Sequence, residues 1–411
     1  MGGVLGFFRM GNGTLSARLR IVGVVALHLS MGTVLIVNSV LAYLAEGLYP
    51  DLPYSTITLL STLFALSALP GSLFGGFVAG RFVSFRTLSL GALLMLAGFG
   101  CLPFFVRDFT IVLAARVCGG FAQGILTTLY GGLVALTLLD YREATRVQGI
   151  GAVVGCLAGV FYQIAATSAV RWDVAAVWLV HLFLLVPIAL VGLFMPRGRG
   201  RASSSVKGSL MPVDGAPHAS SIPWGAWGIV AGYFVVLSFV NPESMSVSPV
   251  ILGEHLGGAT EVAMVSVLYT LGGIVAGLLY RRVLEGAKRW FFPGTLACIA
   301  AGALSMAFVP SVAGYGAGMI LSGIGFYALM PGCTAHLSRM VDPAVFSRIS
   351  GVFSAAGYLA QFAATPLVAI MPVLFGVDEP RNILVAGAFV LTSVAVVWGG
   401  ASLASGFRKA D

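Results

Sequence analysis

The sequence predicts an all-α integral membrane protein with twelve transmembrane helices, arranged as two six-helix bundles related by a pseudo-twofold axis. The first observation is composition, because 58% of the 411 residues are hydrophobic and only 9% are charged, whereas soluble domains carry about 25% charged residues. The second is the recurrence of apolar runs of about 20 residues, the length with which a helix crosses a bilayer. The third is that landmarks of the first half of the chain return in the second half at a nearly constant spacing.

The apolar runs predict helices, because a helix satisfies its own backbone hydrogen bonds and lipid offers no other partner. Most connections are only a few residues long, so successive helices are expected to lie antiparallel and adjacent. The 54 glycines suit this packing, since close approach must replace the hydrophobic driving force that lipid does not provide. In chain order, the predicted spans cover residues 21–45, 56–80, 87–106, 110–133, 148–168, 174–195, 225–247, 262–280, 291–309, 313–333, 350–374 and 382–405.

Two segments break the apolar pattern and divide the chain. Residues 1–20 form a basic N-terminal tail, and residues 196–223 form a linker rich in Arg, Ser, Gly and Pro. The predicted N-terminal bundle therefore covers residues 21–195, and the C-terminal bundle covers residues 224–405, followed by a tail at 406–411. Because further spans follow the first apolar segment, we predict that this segment is an uncleaved helix rather than a signal peptide.

The basic residues of the loops predict the orientation in the membrane. With both termini in the cytoplasm, nineteen arginines and lysines fall on the inner side, and three, Arg107, Arg171 and Arg381, fall on the outer side. This matches the usual cytoplasmic excess of basic residues and predicts a multi-pass protein of the cell (cytoplasmic or inner) membrane. The net charge of +8 is scattered through these short loops, so it indicates orientation and does not predict nucleic acid as a partner.

The two halves share a pattern of charged residues, amides and glycines about 200 residues apart. Two six-helix halves in parallel repeat, joined by a long linker, are an architecture of secondary transporters. The repeated positions are Asp140, Arg146 and Gly149, which return as Asp342, Arg348 and Gly351; Gly76, Arg81 and Asn38, which return as Gly277, Arg282 and Asn241; and Gln163-Ile-Ala-Ala-Thr167, which returns as Gln361-Phe-Ala-Ala-Thr365.

One basic residue lies inside an apolar run. Arg116 is about a turn and a half from the outer end of the fourth span, within the run 110–139. A guanidinium inside the bilayer costs at least ~2.5–3.5 kcal/mol on insertion scales, so we predict that it faces protein or a water-filled cavity rather than lipid. The alternative is that it reaches the nearby headgroups and only anchors the helix.

The sequence offers no pattern typical of catalysis, metal binding or cofactor binding. Its five cysteines all fall inside apolar runs, without the spacing of metal ligands or of a disulfide framework. The glycine runs lack the lysine–serine signature of a phosphate loop, and no nucleophile–base pair or pair of catalytic acids is recognisable. We therefore predict no enzyme activity, no metal and no cofactor.

The span count, the half-repeat and the central linker resemble those of the major facilitator superfamily over essentially the whole chain. After the second span that family carries a glycine, an acid and basic residues. Here Gly76 and Arg81 match, whereas Gly80 stands where the acid is expected. In the fourth span, Arg116-Val-Cys-Gly-Gly120 matches the Arg-x-x-x-Gly that the family often associates with proton coupling.

The fifth span shows a partial match to the antiporter motif of the same family. Gly151, Gly155 and Gly159 have the glycine spacing of that motif, but Cys156 replaces its proline. This departure disfavours a drug/proton antiporter.

The resemblance implies a cavity lined by the first, fourth, seventh and tenth helices. Depth along each span, at ~1.5 Å per residue, places Asn38, Arg116, Asn241 and Glu243 in a similar layer of the outer half of the membrane, and the other polar residues nearer its midplane. The resulting candidates for substrate binding are Asn38, Arg116, Gln123, Gln163, Asn241, Tyr269, Tyr327 and Gln361.

Glu243, together with Arg116, is the candidate for proton coupling. It follows Pro242, and proline breaks a helix in the way that discontinuous transporter helices line a cavity. In the alternative interpretation the seventh span ends early and Glu243 lies in the outer loop. His28 and His181 also invite a proton-relay role because histidine titrates near neutral pH, although a lone histidine near a helix end is more often a packing residue.

Charged residues in the repeated loops are candidates for contacts that hold an inner gate. The alternative is that they are loop charges without a partner. These residues are Arg81, Asp140, Arg146, Arg282, Asp342 and Arg348.

Together these features predict a secondary active transporter that uses alternating access and a proton gradient. One basic and at most one acidic group, among amides and phenols, favour a small polar or anionic organic solute. The predicted partners are that solute, protons and the lipid bilayer, with the chain acting as a monomer. The alternatives are efflux of a metabolite, drug or metallophore and, from another class, a membrane sensor that binds a ligand without moving it.

Overall fold

The computed structural model describes residues 15–79, 82–137, 141–195, 222–241, 259–287, 290–309, 311–375 and 380–407. Across these ranges the chain is almost entirely helical and contains no β-strand; one isolated bridge pairs Ala79 with Val83. The helical segments are numbered α1 to α12 in chain order.

The first half of the chain holds six segments, and a short helix at Leu41–Gly47 follows the first of them. They are α1 (Leu15–Ala26, continuing as the 3₁₀ helix Leu27–Thr33 and the α-helix Val34–Asn38), α2 (Tyr54–Ile57 and Leu59–Val78), α3 (Phe85–Phe105), α4 (Phe109–Thr137), α5 (Tyr141–Val170) and α6 (the 3₁₀ helix Val174–Leu184 and the α-helix Leu185–Phe194).

The second half also holds six segments. They are α7 (Trp224–Asn241), α8 (Ala259–Ala287), α9 (Phe291–Phe308), α10 (Val312–Met340), α11 (Pro343–Phe375) and α12 (Pro380–Phe407).

Length and apolarity identify nine of the described helices, in α1 to α6, α9, α10 and α12, as able to cross a membrane. α7 and α8 contain shorter apolar helices at Trp224–Val240 and Val267–Tyr280. The predicted all-α membrane class is confirmed, and the predicted count of twelve is consistent with this arrangement.

Several helices run further than the predicted spans at the end that the basic loops predict to be cytoplasmic. α5 begins at Tyr141 rather than at residue 148, and α8 ends at Ala287 rather than at residue 280. α10 and α11 extend in the same direction, to Met340 and from Pro343. Apolarity marks only the part of a helix that lies in lipid, whereas the backbone hydrogen bonds that define the helix continue into water.

The 3₁₀ stretches in α1 and α6 are unusually long, at 7 and 11 residues, since runs beyond 3–4 residues are uncommon. In α1 the hydroxyl groups of Ser30 and Thr33 donate to the carbonyls of Leu27 and Ser30, at 2.7 and 2.8 Å. Such local side-chain bonds compete with the regular α-helical pattern. The two 3₁₀ helices also pack against each other.

The same helix pairs pack together in both halves. In the first half α1 packs on α5, α2 on α4, and α3 on both α4 and α6; the second half repeats this with α7 on α11, α8 on α10, and α9 on α10 and α12. Between the halves, α2 packs on α11 and α5 on α8. An exchange of the two halves converts one of these interface pairs into the other, as a pseudo-twofold axis requires.

The interface pairs meet where the sequence repeats its glycines. A Cβ atom added to Gly76 of α2 would lie 3.0 Å from the Cα of Gly351 of α11, and one added to Gly277 of α8 would lie 2.8 Å from the carbonyl oxygen of Gly149 of α5. These two contacts are the same contact in its two symmetry-related copies. Both lie at the end predicted to be cytoplasmic, where they bring the halves together.

Candidate functional site

A cavity of about 250 Å³ lies between the two halves. Its lining comes from α1, α4, α5, α7, α8, α10 and α11. The four helices that the family resemblance implies all contribute, and α5, α8 and α11 contribute as well.

The lining is aromatic and uncharged. It contains five tyrosines, three methionines and two glutamines, and no Asp, Glu, Lys or Arg is among the described residues that form it. Its polar side chains are those of His28, Thr127, Gln163, Thr270, Ser354 and Gln361, together with the phenols of Tyr130, Tyr233, Tyr269, Tyr327 and Tyr358. This composition is typical of ligand sites, in which a few polar groups orient a molecule held by apolar walls.

Gln163 and Gln361 occupy equivalent positions of the repeat, on α5 and α11. The Gln163 amide nitrogen donates to the Thr270 hydroxyl at 3.4 Å, and its amide oxygen is buried with no hydrogen-bond partner among the described residues. The rings of Tyr269 and Tyr327 lie beside this region, with 5.8 Å between their centroids. A solute between these groups would meet amide dipoles and aromatic faces.

Nearer the predicted cytoplasmic end, a hydrogen bond between two side chains joins the halves. The hydroxyl groups of Thr127 on α4 and Tyr358 on α11 lie 2.7 Å apart. Gln123 lies one helical turn before Thr127 on α4. Its amide oxygen accepts from Thr33 at 3.2 Å, and its amide nitrogen lies 3.9 Å from the sulfur of Met31. Gln123 is therefore held by α1 and is not itself part of the cavity lining.

His28 lines the cavity from the 3₁₀ helix of α1. Its Nδ1 lies 3.1 Å from the carbonyl oxygen of Val25, so Nδ1 carries the proton, while Nε2 is buried with no hydrogen-bond partner in the described part of the chain. The ring stands edge to face with Tyr130, with 3.5 Å between centroids. A side chain at Gly151 would collide with this imidazole.

Arg116 is buried inside the N-terminal bundle, with 3% of the residue exposed. Its Nε donates to the carbonyl oxygen of Leu60 at 3.0 Å, and its guanidinium lies 4.1 Å from the centroid of the Phe64 ring. The side chain therefore faces protein, as expected, and not the headgroups. It does not line the cavity, which differs from the predicted position, because α2 supplies it with a carbonyl and an aromatic face.

The outer-layer residues of the prediction are placed only in part. The Asn38 amide oxygen accepts from the Ser61 hydroxyl at 2.5 Å, which joins α1 to α2 outside the cavity lining. Asn241 is the last residue of α7, but its side chain and all of Glu243 lie outside the described residues.

The predicted gating charges are described only in part. Arg81 and Asp140 lie outside the described residues. Arg146 is half-buried on α5, and three others, Arg282, Asp342 and Arg348, are exposed. The contacts described between the halves here are made by hydroxyl groups and glycines, with Ser347 donating to the carbonyl oxygen of Gly76 at 3.2 Å and Ser350 to that of Thr128 at 3.4 Å.

The residues that sequence reasoning missed lie on the same helix faces as those it found. Along α11 the lining residues Ser354, Gly357 and Tyr358 precede Gln361 by seven, four and three positions, the spacing of one helical face. On α4, Thr127 and Tyr130 follow the candidate Gln123 by four and seven positions, whereas His28 has no such neighbour among the substrate-binding candidates. Extending each predicted glutamine along its helix face finds the lining residues of both α11 and α4.

Known proteins share this architecture. The Major Facilitator Superfamily model matches residues 23–365, and no curated protein sequence matches the chain. The crystal structure of the human organic anion transporter MFSD10 (TETRAN) is 16% identical, with a TM-score of 0.73 over 92% of this chain and 99% of that one. The proton:xylose symporter XylE, bound to 6-bromo-6-deoxy-D-glucose, is 12% identical, with a TM-score of 0.67 over 92% of this chain and 94% of that one.

At these identities the two solved structures show the shared fold alone, whereas the family model spans most of the sequence. The match to the family model, together with the repeated helix pairing, assigns this chain to the Major Facilitator Superfamily of membrane transporters.

Proposed function

We propose that this transporter moves a small, uncharged polar organic solute by alternating access, and that a proton gradient drives the movement. The observation that carries the proposal is the cavity lining, in which aromatic rings and amides surround the space and no charged side chain is found among the described residues. The halves rock about this cavity, opening it to one side of the membrane at a time.

The lack of charge in the described lining argues against an ionic solute. An organic anion transferred from water to this cavity would need a cation or several donors to replace its hydration. Arg116, the basis of the predicted anionic class, is engaged by Leu60 and Phe64 away from the cavity. A neutral solute needs only hydrogen bonds and apolar contact, which the glutamines and tyrosines supply.

The size of the cavity favours a small molecule. Ligand sites commonly span about 300–1,000 Å³, so a volume of about 250 Å³ lies just below that range. Tyrosine presents both an apolar ring and a hydrogen-bonding hydroxyl. Molecules with hydroxyl groups around an apolar frame, such as monosaccharides, match both properties.

Two relatives in fold support different solutes. XylE is a proton:xylose symporter bound to a sugar analogue, which agrees with a neutral solute and with proton drive. MFSD10 is an organic anion transporter, and it supports the second candidate, a small organic anion.

A thermal-shift screen of the purified chain separates these candidates. A ligand that binds only the folded state at 100 times its Kd stabilises that state by about 2.7 kcal/mol. The panel contains neutral monosaccharides, nucleosides, aromatic alcohols and monocarboxylates at matched concentrations. We expect neutral hydroxylated compounds to raise the Tm and to be taken up by proteoliposomes. A rise in Tm with the carboxylates alone would contradict a neutral solute and favour an organic anion. Saturable binding without flux would contradict transport and favour a membrane sensor.

A further inference from the structure

The structure contains two buried histidines with nearly the same local geometry. His28 lies in the 3₁₀ helix of α1, and His181 lies in that of α6. Each Nδ1 is within hydrogen-bonding distance of the carbonyl three residues earlier, at 3.1 Å for Val25 and 3.0 Å for Trp178. In both residues Nε2 is buried with no hydrogen-bond partner among the residues that the structure describes.

The two histidines differ in what they face. His28 lines the cavity. His181 packs against Gly100 of α3 and lies parallel to the ring of Trp178, and it is absent from the cavity lining. The cavity therefore borders the first imidazole and not the second.

The groups that surround His28 do not neutralise a charge on it. On α4 the titratable group that faces it is Tyr130, and on α5 it meets Gly151 and Gly155, with Cys156 next along the lining. α6 also touches this part of α1, and the one titratable side chain in its range 174–194 is His181. No carboxylate or guanidinium of the described residues is among these neighbours.

We propose that Nε2 of His28 binds the proton that drives transport, at a site separate from the one that holds the solute. This proposal rests on the proposed function, in that it names the coupling group of the same cavity. Because Nδ1–H is held by Val25, the lone pair on Nε2 is the atom that accepts. A proton delivered by water forms an Nε2–H bond, and its departure to water on the other side restores the neutral imidazole.

The cavity makes this step depend on the state of the transporter. Charging a buried imidazole without a partner is costly, so protonation requires that the cavity be open to water. Gly151, beside His28, and Gln163 are twelve positions apart on α5, or about 18 Å along the helix axis. Proton and solute therefore bind at different levels of one cavity.

The test begins with a measurement that needs no solute. The full chain, labelled with ¹³C at histidine Cε1, is placed in lipid nanodiscs and followed by NMR from about pH 5 to about pH 8, the range in which imidazole titrates. His28→Gln and His181→Gln assign the two resonances. We expect the resonance lost in His28→Gln to move with pH and the one lost in His181→Gln to remain fixed. A fixed His28 resonance, or equal titration of both, would overturn the proposal.

Transport supplies the second readout, with the panel compound that raises the Tm most as the probe. In His28→Gln, accumulation driven by a pH gradient should be lost while counterflow at equal pH persists, and His181→Gln should retain both. Retained accumulation in His28→Gln, together with its loss in Glu243→Gln, would assign the proton to Glu243 instead. If no panel compound binds, the proposed function fails, and the NMR titration still decides whether His28 binds a proton.

Discussion

Gln163 and Gln361 are the polar side chains that the repeat places on both sides of the cavity. The amide oxygen of Gln163 is buried without a partner among the described residues. Leaving such a group unsatisfied costs about 1–3 kcal/mol, a cost that a solute hydroxyl removes when it donates to that oxygen. The amide is thus a point at which binding energy is available to a hydrogen-bond donor.

Gln163→Met should weaken solute binding by about 3–10-fold, because one hydrogen bond contributes about 0.5–1.5 kcal/mol and methionine keeps the length of the side chain. The shift in Tm across a concentration series of a panel compound measures the affinity. Gln148→Met is the matched control, since Gln148 is a buried glutamine of the same helix outside the cavity lining. Equal losses in the two variants would show that the effect is general destabilisation.

Arg116 is expected to act through stability rather than through the solute. Arg116→Lys should lower the free energy of unfolding by about 1–2 kcal/mol, because an ammonium cannot lie flat on the Phe64 ring while it donates to Leu60. Thermal denaturation measures this loss, and the affinity of the folded fraction for a panel compound should not change. A loss of affinity at an unchanged Tm would contradict this prediction and show that Arg116 contributes to solute binding.

At the scale of single residues, the sequence predicts which types of side chain line the cavity better than it predicts where each side chain points. Gln163, Tyr269, Tyr327 and Gln361 all line the cavity. Arg116 does not, because depth in the membrane fixes the height of a side chain and not the direction in which it points. The direction depends on the close packing of α2 against α4, which no local pattern of residues records.

Glycines determine how closely the interface helices approach. A Cβ atom at Gly277 would lie 2.7 Å from the Val153 side chain and 2.8 Å from the carbonyl oxygen of Gly149. Both distances are shorter than van der Waals contact. The α5–α8 contact therefore tolerates no side chain at this position while the predicted cytoplasmic ends are together.

Gly277→Val should separate the predicted cytoplasmic ends of the two halves. Spin labels at the exposed positions 82 and 282, in a background without the native cysteines, report the distance between the halves. We expect the distribution to move toward longer distances. Gly294→Val serves as the control, because nothing lies within 4 Å of a Cβ atom at that position, and a similar shift in this control would contradict the explanation.

At the scale of elements, the helices were more predictable than their ends. α5 and α11 each begin seven residues before the apolar run that predicted them, at Tyr141 and Pro343. The repeat matches polar residues in these extensions, including Arg146 and Arg348, but it does not indicate that they are helical. The 3₁₀ helices of α1 and α6 were not predicted, because apolar composition does not distinguish them from α-helices.

The whole molecule closes one end through two equivalent contacts, Gly76 with Gly351 and Gly149 with Gly277. Because rigid halves cannot separate at one contact and stay closed at the other, damage to either should open both. Gly76→Val should therefore shift the spin-label distance as Gly277→Val does, and the double variant should add little. Additive shifts would show that the two contacts open independently.

The architecture of the whole molecule could be predicted because it depends on repetition, which a single sequence contains. The repeat matches Gly76 with Gly277, and Gly149 with Gly351, from their positions in the chain alone. The cavity lining could not be predicted to the same extent. It depends on which face each of seven helices turns inward, and residues such as Tyr130 and Tyr358 resemble ordinary packing aromatics until those faces are known.

The 3₁₀ helix within α1 has a consequence for the length of that helix. A 3₁₀ helix rises ~2.0 Å per residue and an α-helix ~1.5 Å, so converting the seven residues Leu27–Thr33 to α-geometry would shorten α1 by about 3.5 Å. It would also rotate Asn38 relative to the residues before Leu27. His28 lies within this segment. A proton bound to His28 would therefore place a charge in the part of α1 whose length differs between the two helical geometries.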